Sequence, residues 1–184
     1  MRDSAIKILT IDPVEFGATI LHNGGSLVAD RALYHQWELP VPGDEDQWIR
    51  LRTTDDGSGV LSAHHRLTDE TATDSDAETP VGDVPTMLAL LARLGHHPAR
   101  HWEHYRTRYL LPTEHDPVNI DVVEWPRVPA WAAVDGQDTP TVLTTIRRLG
   151  EDPDAATTAT AVDLLADYGL TCHHELTFTT ERIS

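Results

Sequence analysis

Trp48-Ile49-Arg50-Leu51-Arg52, then Asp55-Asp56-Gly57-Ser58-Gly59, then Val60-Leu61-Ser62-Ala63-His64 read as two strands and the turn between them. Strand-forming residues flank a cluster of aspartate, glycine and serine, the signal of a β-hairpin. Side chains on a strand alternate faces, so Arg50 and Arg52 share one. On the N-terminal side, Ser26 to Leu39 alternates loosely and reads as a further strand, closed by a turn at Pro40-Val41-Pro42-Gly43-Asp44. On the C-terminal side, residues 68–83 (TDETATDSDAETPVGD) are acidic and lack apolar periodicity, which predicts a mobile loop.

The rest of the chain continues in short elements. Residues 5–10 predict a strand, and Asp12-Pro13 caps a helix that runs to about His22 and stops at Asn23-Gly24-Gly25. A second helix covers Pro85 to Leu94 and ends at Gly95. Strands follow at 99–111, 117–124 and 130–136, then a helix from Thr139 to Leu149. Asp152-Pro153 opens a further helix toward Tyr168-Gly169, and 172–180 predicts a last strand. Strands without helical crossovers between them define an α+β chain rich in antiparallel pairs.

Composition narrows the function classes. The 184 residues suffice for one domain with a sizeable core, so 1–184 is read as a single domain. The formal net charge of −16 argues against nucleic acid as a partner, because phosphodiester binding needs a basic surface. No apolar run reaches the length of a membrane span, and MRDSAIKILTIDP is too polar for a signal peptide. One cysteine, Cys172, excludes an internal disulfide and fits a reducing cytoplasm. The cations are almost all arginine, and Lys7 is the only lysine. An acidic exterior is compatible with a cleft that gathers those cations and attracts anions.

Three stretches together resemble the CYTH family, which includes class IV adenylyl cyclases and triphosphatases. They are Lys7-Ile8-Leu9-Thr10-Ile11-Asp12-Pro13, Trp48-Ile49-Arg50-Leu51-Arg52, and a long series. That series runs from Leu88 to Gly95, through His101-Trp102-Glu103-His104-Tyr105-Arg106 and Val118-Asn119-Ile120-Asp121, to Trp125-Pro126-Arg127-Val128-Pro129 and Val134-Asp135-Gly136. The resemblance implies a closed tunnel of eight antiparallel strands with flanking helices. Its lumen would bind an anionic small molecule such as a triphosphate, through Lys7, Arg50, Arg52 and Arg106, with magnesium on glutamates. A homodimer is among the assemblies it implies.

The chain departs from that pattern at the reactive positions. The family's opening glutamate pair falls at Asp3 and Ala5, and its later pair at Ala133 and Asp135. Two family lysines fall at His64 and His104. Lost carboxylates weaken a magnesium or manganese site, leaving Asp3, Asp121 and Asp135 as candidate ligands. The histidines add groups that titrate near neutrality, so His64 and His104, with Asp121, are the candidate proton-transfer residues.

Three functions follow from this reading: hydrolysis or cyclisation of a triphosphate, non-catalytic binding of an anion or partner, or a metal-independent reaction on a metabolite using the histidines. Arg50 and Arg52 alone would more simply be a solvated strand face with ordinary ion pairs. The tryptophans read as packing, with Trp102 the one whose parity matches His104 and Arg106. The pairs His64-His65, His96-His97 and His173-His174 make no dedicated zinc site, because neighbours on a strand point apart.

Overall fold

The computed structural model describes residues 5–53, 57–66, 73–114 and 116–178. Asp3 and the hairpin residues Asp55 and Asp56 lie outside them. The strands are β1 (Ile6–Ile11), β2 (Ser26–Val41), β3 (Asp44–Thr53), β4 (Gly59–Arg66), β5 (Thr73–Val81), β6 (Arg100–Leu111), β7 (Val118–Glu124), β8 (Ala130–Asp135) and the two-residue β9 (Glu175–Leu176). The helices are α1 (Pro13–His22), α2 (Val84–Arg93), α3 (Thr139–Arg148) and α4 (Ala161–Asp167).

The strands form one sheet in the order β1-β8-β7-β6-β2-β3-β4-β5, with β9 on β6. The pairs β1–β8, β8–β7, β7–β6, β2–β3, β3–β4 and β4–β5 are antiparallel, and β9 runs parallel to β6. β1 and β5 are the two ends of the path, and no ladder joins them among the described residues. The closed ring implied by the resemblance is therefore not what the ladders give.

Helix starts are dictated locally. Asp12, Asp83 and Asp138 each precede a proline-containing first turn and accept hydrogen bonds from its free N–H groups. Gly150 closes α3 with φ of +85°, a conformation that favours glycine.

Two expectations need correcting. The predicted loop at 68–83 contains β5 over Thr73–Val81, while 67–72 lie outside the described residues. β5 ends the path and pairs only with β4, so its backbone is held while Ala77 to Pro80 stay exposed. With Ala77 to Pro80 exposed, nothing imposes apolar alternation on that stretch, and charges and proline suit an edge. The single helix expected from Asp152 to Tyr168 is a 3-10 turn at Pro153–Ala155 followed by α4. The segment between them is extended, because Thr157 exchanges backbone hydrogen bonds with Lys7 at 2.7 and 2.9 Å. Thr160 then restarts the helix with a capping box to Asp163.

The chain divides into two compact units, residues 1–33 with 104–172, and residues 34–103 with 173–184. In the first, Ile6, Ile8, Ile120, Val122, Ala132, Val134, Tyr109 and Leu111 turn one sheet face toward α1 and α3, packing on Phe16, Ile20, Val142 and Ile146. A Cβ at Gly17 would collide with the Tyr109 hydroxyl, so glycine there lets α1 approach the sheet. In the second, Leu51, Val81 and Val84 form a smaller cluster with Trp37, Leu61, Met87 and Leu88 beneath α2. No helix among the described residues is long and apolar enough to cross a membrane.

Candidate functional site

Because each unit covers one sheet face with helix and apolar side chains, strand alternation sends its charged residues to the other. In the first unit this face carries a register row, with Lys7 opposite Ala133, Ala133 opposite Asp121 and Asp121 opposite Arg108. Arg106 follows one step along β6, opposite Val123. Lys7 is buried at 7% exposure. Asp121 is gripped from two sides, with Oδ1 2.9 Å from Arg108 Nε and Oδ2 3.5 Å from Arg106 Nη1. Arg108 is thus on the charged face beside Asp121. Asp135 lies opposite Asn119, two positions from Asp121. His104 stacks on Trp125 at 4.7 Å, and Trp125 on Trp131 at 6.1 Å.

This face does not fit a dedicated magnesium site. Asp121 has both oxygens engaged by arginine, Ala133 offers no ligand, and Asp135 is the one carboxylate left of the predicted set in the described residues. Releasing Asp121 to a metal would uncover two guanidinium groups.

In the second unit the corresponding row is Glu38, Arg50, Ser62 and Glu78. Arg50 Nη2 is 3.3 Å from Glu38 Oε1, and Arg100 Nη1 is 3.1 Å from Glu38 Oε2. Arg52 Nη2 is 3.3 Å from Glu78 Oε2. His64 is opposite Trp48 and stacks on it at 5.4 Å, within 8° of parallel. Its Nε2 lies 2.8 Å from Ser62 Oγ, which is 3.4 Å from the Arg50 carbonyl oxygen. With the Ser62 hydroxyl donating to that carbonyl, His64 Nε2–H donates to Ser62 and Nδ1 presents a lone pair.

Three buried polar atoms on this face have no hydrogen-bond partner among the described residues: Arg50 Nε, Trp48 Nε1 and His64 Nδ1. Arg50 Nε and Trp48 Nε1 are donors, and buried donors are ordinarily satisfied, so this pair indicates an acceptor that binds there.

The structure also revises His64 itself. Burial first, and then the charge of Arg50, lowers its pKa to about 4. It is therefore neutral at pH 7 and acts as a hydrogen-bonding or accepting group, where the sequence predicted titration near neutrality. Trp102 does not line an open face. It is 2% exposed and donates from Nε1 to the His173 carbonyl at 3.2 Å.

The units thus bring Lys7, Arg106, Asp121 and Asp135 onto one face, and Arg50, Arg52 and His64 onto another. Glu38 and Glu78 were missed on sequence grounds. Glu38 is two residues past Gln36 on a strand whose face was not assigned, and Glu78 lies in the segment read as loop.

No family model matches the chain, and no curated protein matches it. Solved structures do. One is an adenylate cyclase candidate from Vibrio parahaemolyticus, at 9% identity and a TM-score of 0.65, covering 88% of this chain and 96% of that one. Another is the PH1819 protein of Pyrococcus horikoshii, at 15% identity and a TM-score of 0.60, covering 90% and 98%. A third is HpAC1 from Hippeastrum, an adenylyl cyclase candidate described as having a dominant triphosphatase activity, at 12% identity and a TM-score of 0.53, covering 90% and 96%. The chain therefore has the CYTH-type fold that the sequence motifs resemble, in a strongly diverged form.

Proposed function

We propose that the chain binds a phosphorylated or otherwise anionic small molecule and acts on it by phosphoanhydride chemistry, hydrolysis or cyclisation, inside a CYTH-type tunnel. The observation that carries this reading is the unsatisfied pair of buried donors, Arg50 Nε and Trp48 Nε1, beside Arg52. Anionic oxygens are the acceptors that guanidinium forks and indole N–H groups take up, and a charged hydrogen bond in a desolvated site is strong. Lys7, Arg106 and Arg108 supply cations on the first unit's face.

In this reading His64 accepts a proton at Nδ1 and hands nothing on by itself, since it is neutral at pH 7. Ser62 fixes its tautomer. His104, stacked on Trp125, is the second proton-transfer candidate. Any magnesium or manganese would arrive with the phosphates. The protein works in the reducing cytoplasm, where the exposed Cys172 stays a thiol.

The test is hydrolysis of tripolyphosphate, thiamine triphosphate and ATP, each with magnesium or manganese. Turnover of one supports the reading, and turnover of none removes it. A non-catalytic binder is the second reading, favoured by the alanines at 5 and 133 and by the double engagement of Asp121. Its signature is a tripolyphosphate-dependent rise in Tm with no product formed.

A further inference from the structure

The histidine pairs of the sequence assemble no ligand set, but two histidines far apart in the chain do. His35 on β2 and His101 on β6 meet Glu103 of β6, and one ligand atom from each lies within 4.8 Å of the others. We propose that His35, His101 and Glu103 form a three-ligand site for a divalent transition metal of the zinc type.

The spacing supports this. Zinc bonds of about 2.0–2.1 Å at a tetrahedral angle put neighbouring ligand atoms about 3.3 Å apart. His35 Nδ1 is 3.2 Å from His101 Nε2 and 3.3 Å from Glu103 Oε1. Hydrogen bonding satisfies this trio less completely. His35 Nδ1 carries at most one proton, so it serves one of two acceptors and leaves the other facing it. One cation serves all three.

The surroundings are those of a built site. Glu103 is 8% exposed, and a buried carboxylate is ordinarily compensated by positive charge. Its other oxygen, Oε2, accepts from Phe178 N at 3.1 Å, a contact that orients the carboxylate as outer partners do around metals. His35, Trp37 and His101 stack mutually, with ring planes within 17° of one another, which restrains both imidazoles. Two imidazoles and a carboxylate select zinc and its neighbours over magnesium. Three protein ligands leave a position for water, and the His35 side chain is 30% exposed, giving access. His35 shares the face of Trp37, so this site is opposite the one that carries Glu38 and Arg50 and is independent of the anion-binding reading.

The experiment uses the full chain stripped with a chelator, then titrated with Co2+ as a spectroscopic probe and with Zn2+ by calorimetry. One ion per chain is expected, with an intense tetrahedral Co2+ absorption that Zn2+ displaces and a rise in Tm. His101→Gln and Glu103→Gln each lower affinity about 100-fold, while His97→Gln, an exposed member of a histidine pair, leaves it unchanged. Unaltered affinity in His101→Gln, or no binding below about 1 mM, overturns the proposal. Should a variant fail to fold, imidazole 15N shifts of the wild-type chain decide. Zn2+-induced shifts at His35 and His101 support the site, and shifts confined to other histidines overturn it. Tripolyphosphate stabilisation of the stripped protein reads the anion site separately.

Discussion

The two units build the same arrangement, a sheet with an apolar face under helix and a charged face opposite, and they differ in the core that supports it. In the first, Asp121 is held by Arg106 and Arg108, and the face rests on a broad layer of fully buried side chains including Ile20, Leu111, Val118, Ile120 and Ile146. In the second, Glu38 is likewise held by Arg50 and Arg100 over a smaller cluster at Leu51, Val81 and Val84, and Arg50 Nε and Trp48 Nε1 are buried donors with no acceptor among the described residues. The difference teaches where a ligand has most to gain. A carboxylate already held by two guanidinium groups gives up ion pairs to bind anything else, whereas donors buried without acceptors lose nothing on binding and recover their desolvation cost.

The largest expected effect tests the cores. Ile146→Ala in the first unit should cost about 4 kcal/mol, and Leu51→Ala in the second about 2–3 kcal/mol, because a small cluster with partly buried walls collapses more readily around a cavity. Urea denaturation of both variants measures this. Equal losses would erase the distinction between the two supports.

Next in size is pH. The unfolded chain protonates His64 near 6.5 while the folded one resists until about 4. Between those values the unfolded state binds more protons, so stability falls as pH drops from 6.5 toward 4, by about 1–3 kcal/mol from this residue. His64→Gln should flatten that part of the stability profile. An unchanged profile would mean that the second unit's face does not keep the ring dehydrated.

The anion comparison comes third. Arg50→Gln should weaken tripolyphosphate-dependent stabilisation about 10- to 100-fold, the scale of one charged hydrogen bond. Arg106→Gln should do less, because the donors that carry the reading, Arg50 Nε and Trp48 Nε1, lie in the second unit. A larger effect at Arg106 than at Arg50 would invert the assignment.

The smallest is Glu78→Gln. The Arg52–Glu78 pair is 34% and 48% exposed at its side chains, so its loss should change stability by about 0–1 kcal/mol in thermal denaturation. A larger change would show that this edge pair is more than a solvated contact.

Legibility in the sequence followed physical scale. Strand parity placed Arg50 with Arg52, and Asn119 with Asp121, because alternation depends on backbone geometry alone. Asp12 was readable as a helix cap because the bonds it accepts are local, and the structure adds Asp83 and Asp138 in the same role. β5 was invisible because its order comes from pairing with β4, while Ala77 to Pro80 are exposed and show no apolar alternation. The helix break at 156–160 was equally hidden, being set by a strand 150 residues away at Lys7. Of the candidate site, the cations were legible and their partners were not: nothing local ties Glu38 to Arg100, or Asp121 to Arg106 and Arg108.

The sequence by itself determined the α+β class and the face that Arg50 and Arg52 share, since these follow from residue type and from periodicity two or 3.6. Tertiary structure alone decided which charges are neutralised and which donors are stranded, that His64 stays neutral, and that His35 meets His101 and Glu103. Each of these depends on the distance between residues remote in the chain and on the water removed when they meet, and neither quantity is written in local sequence.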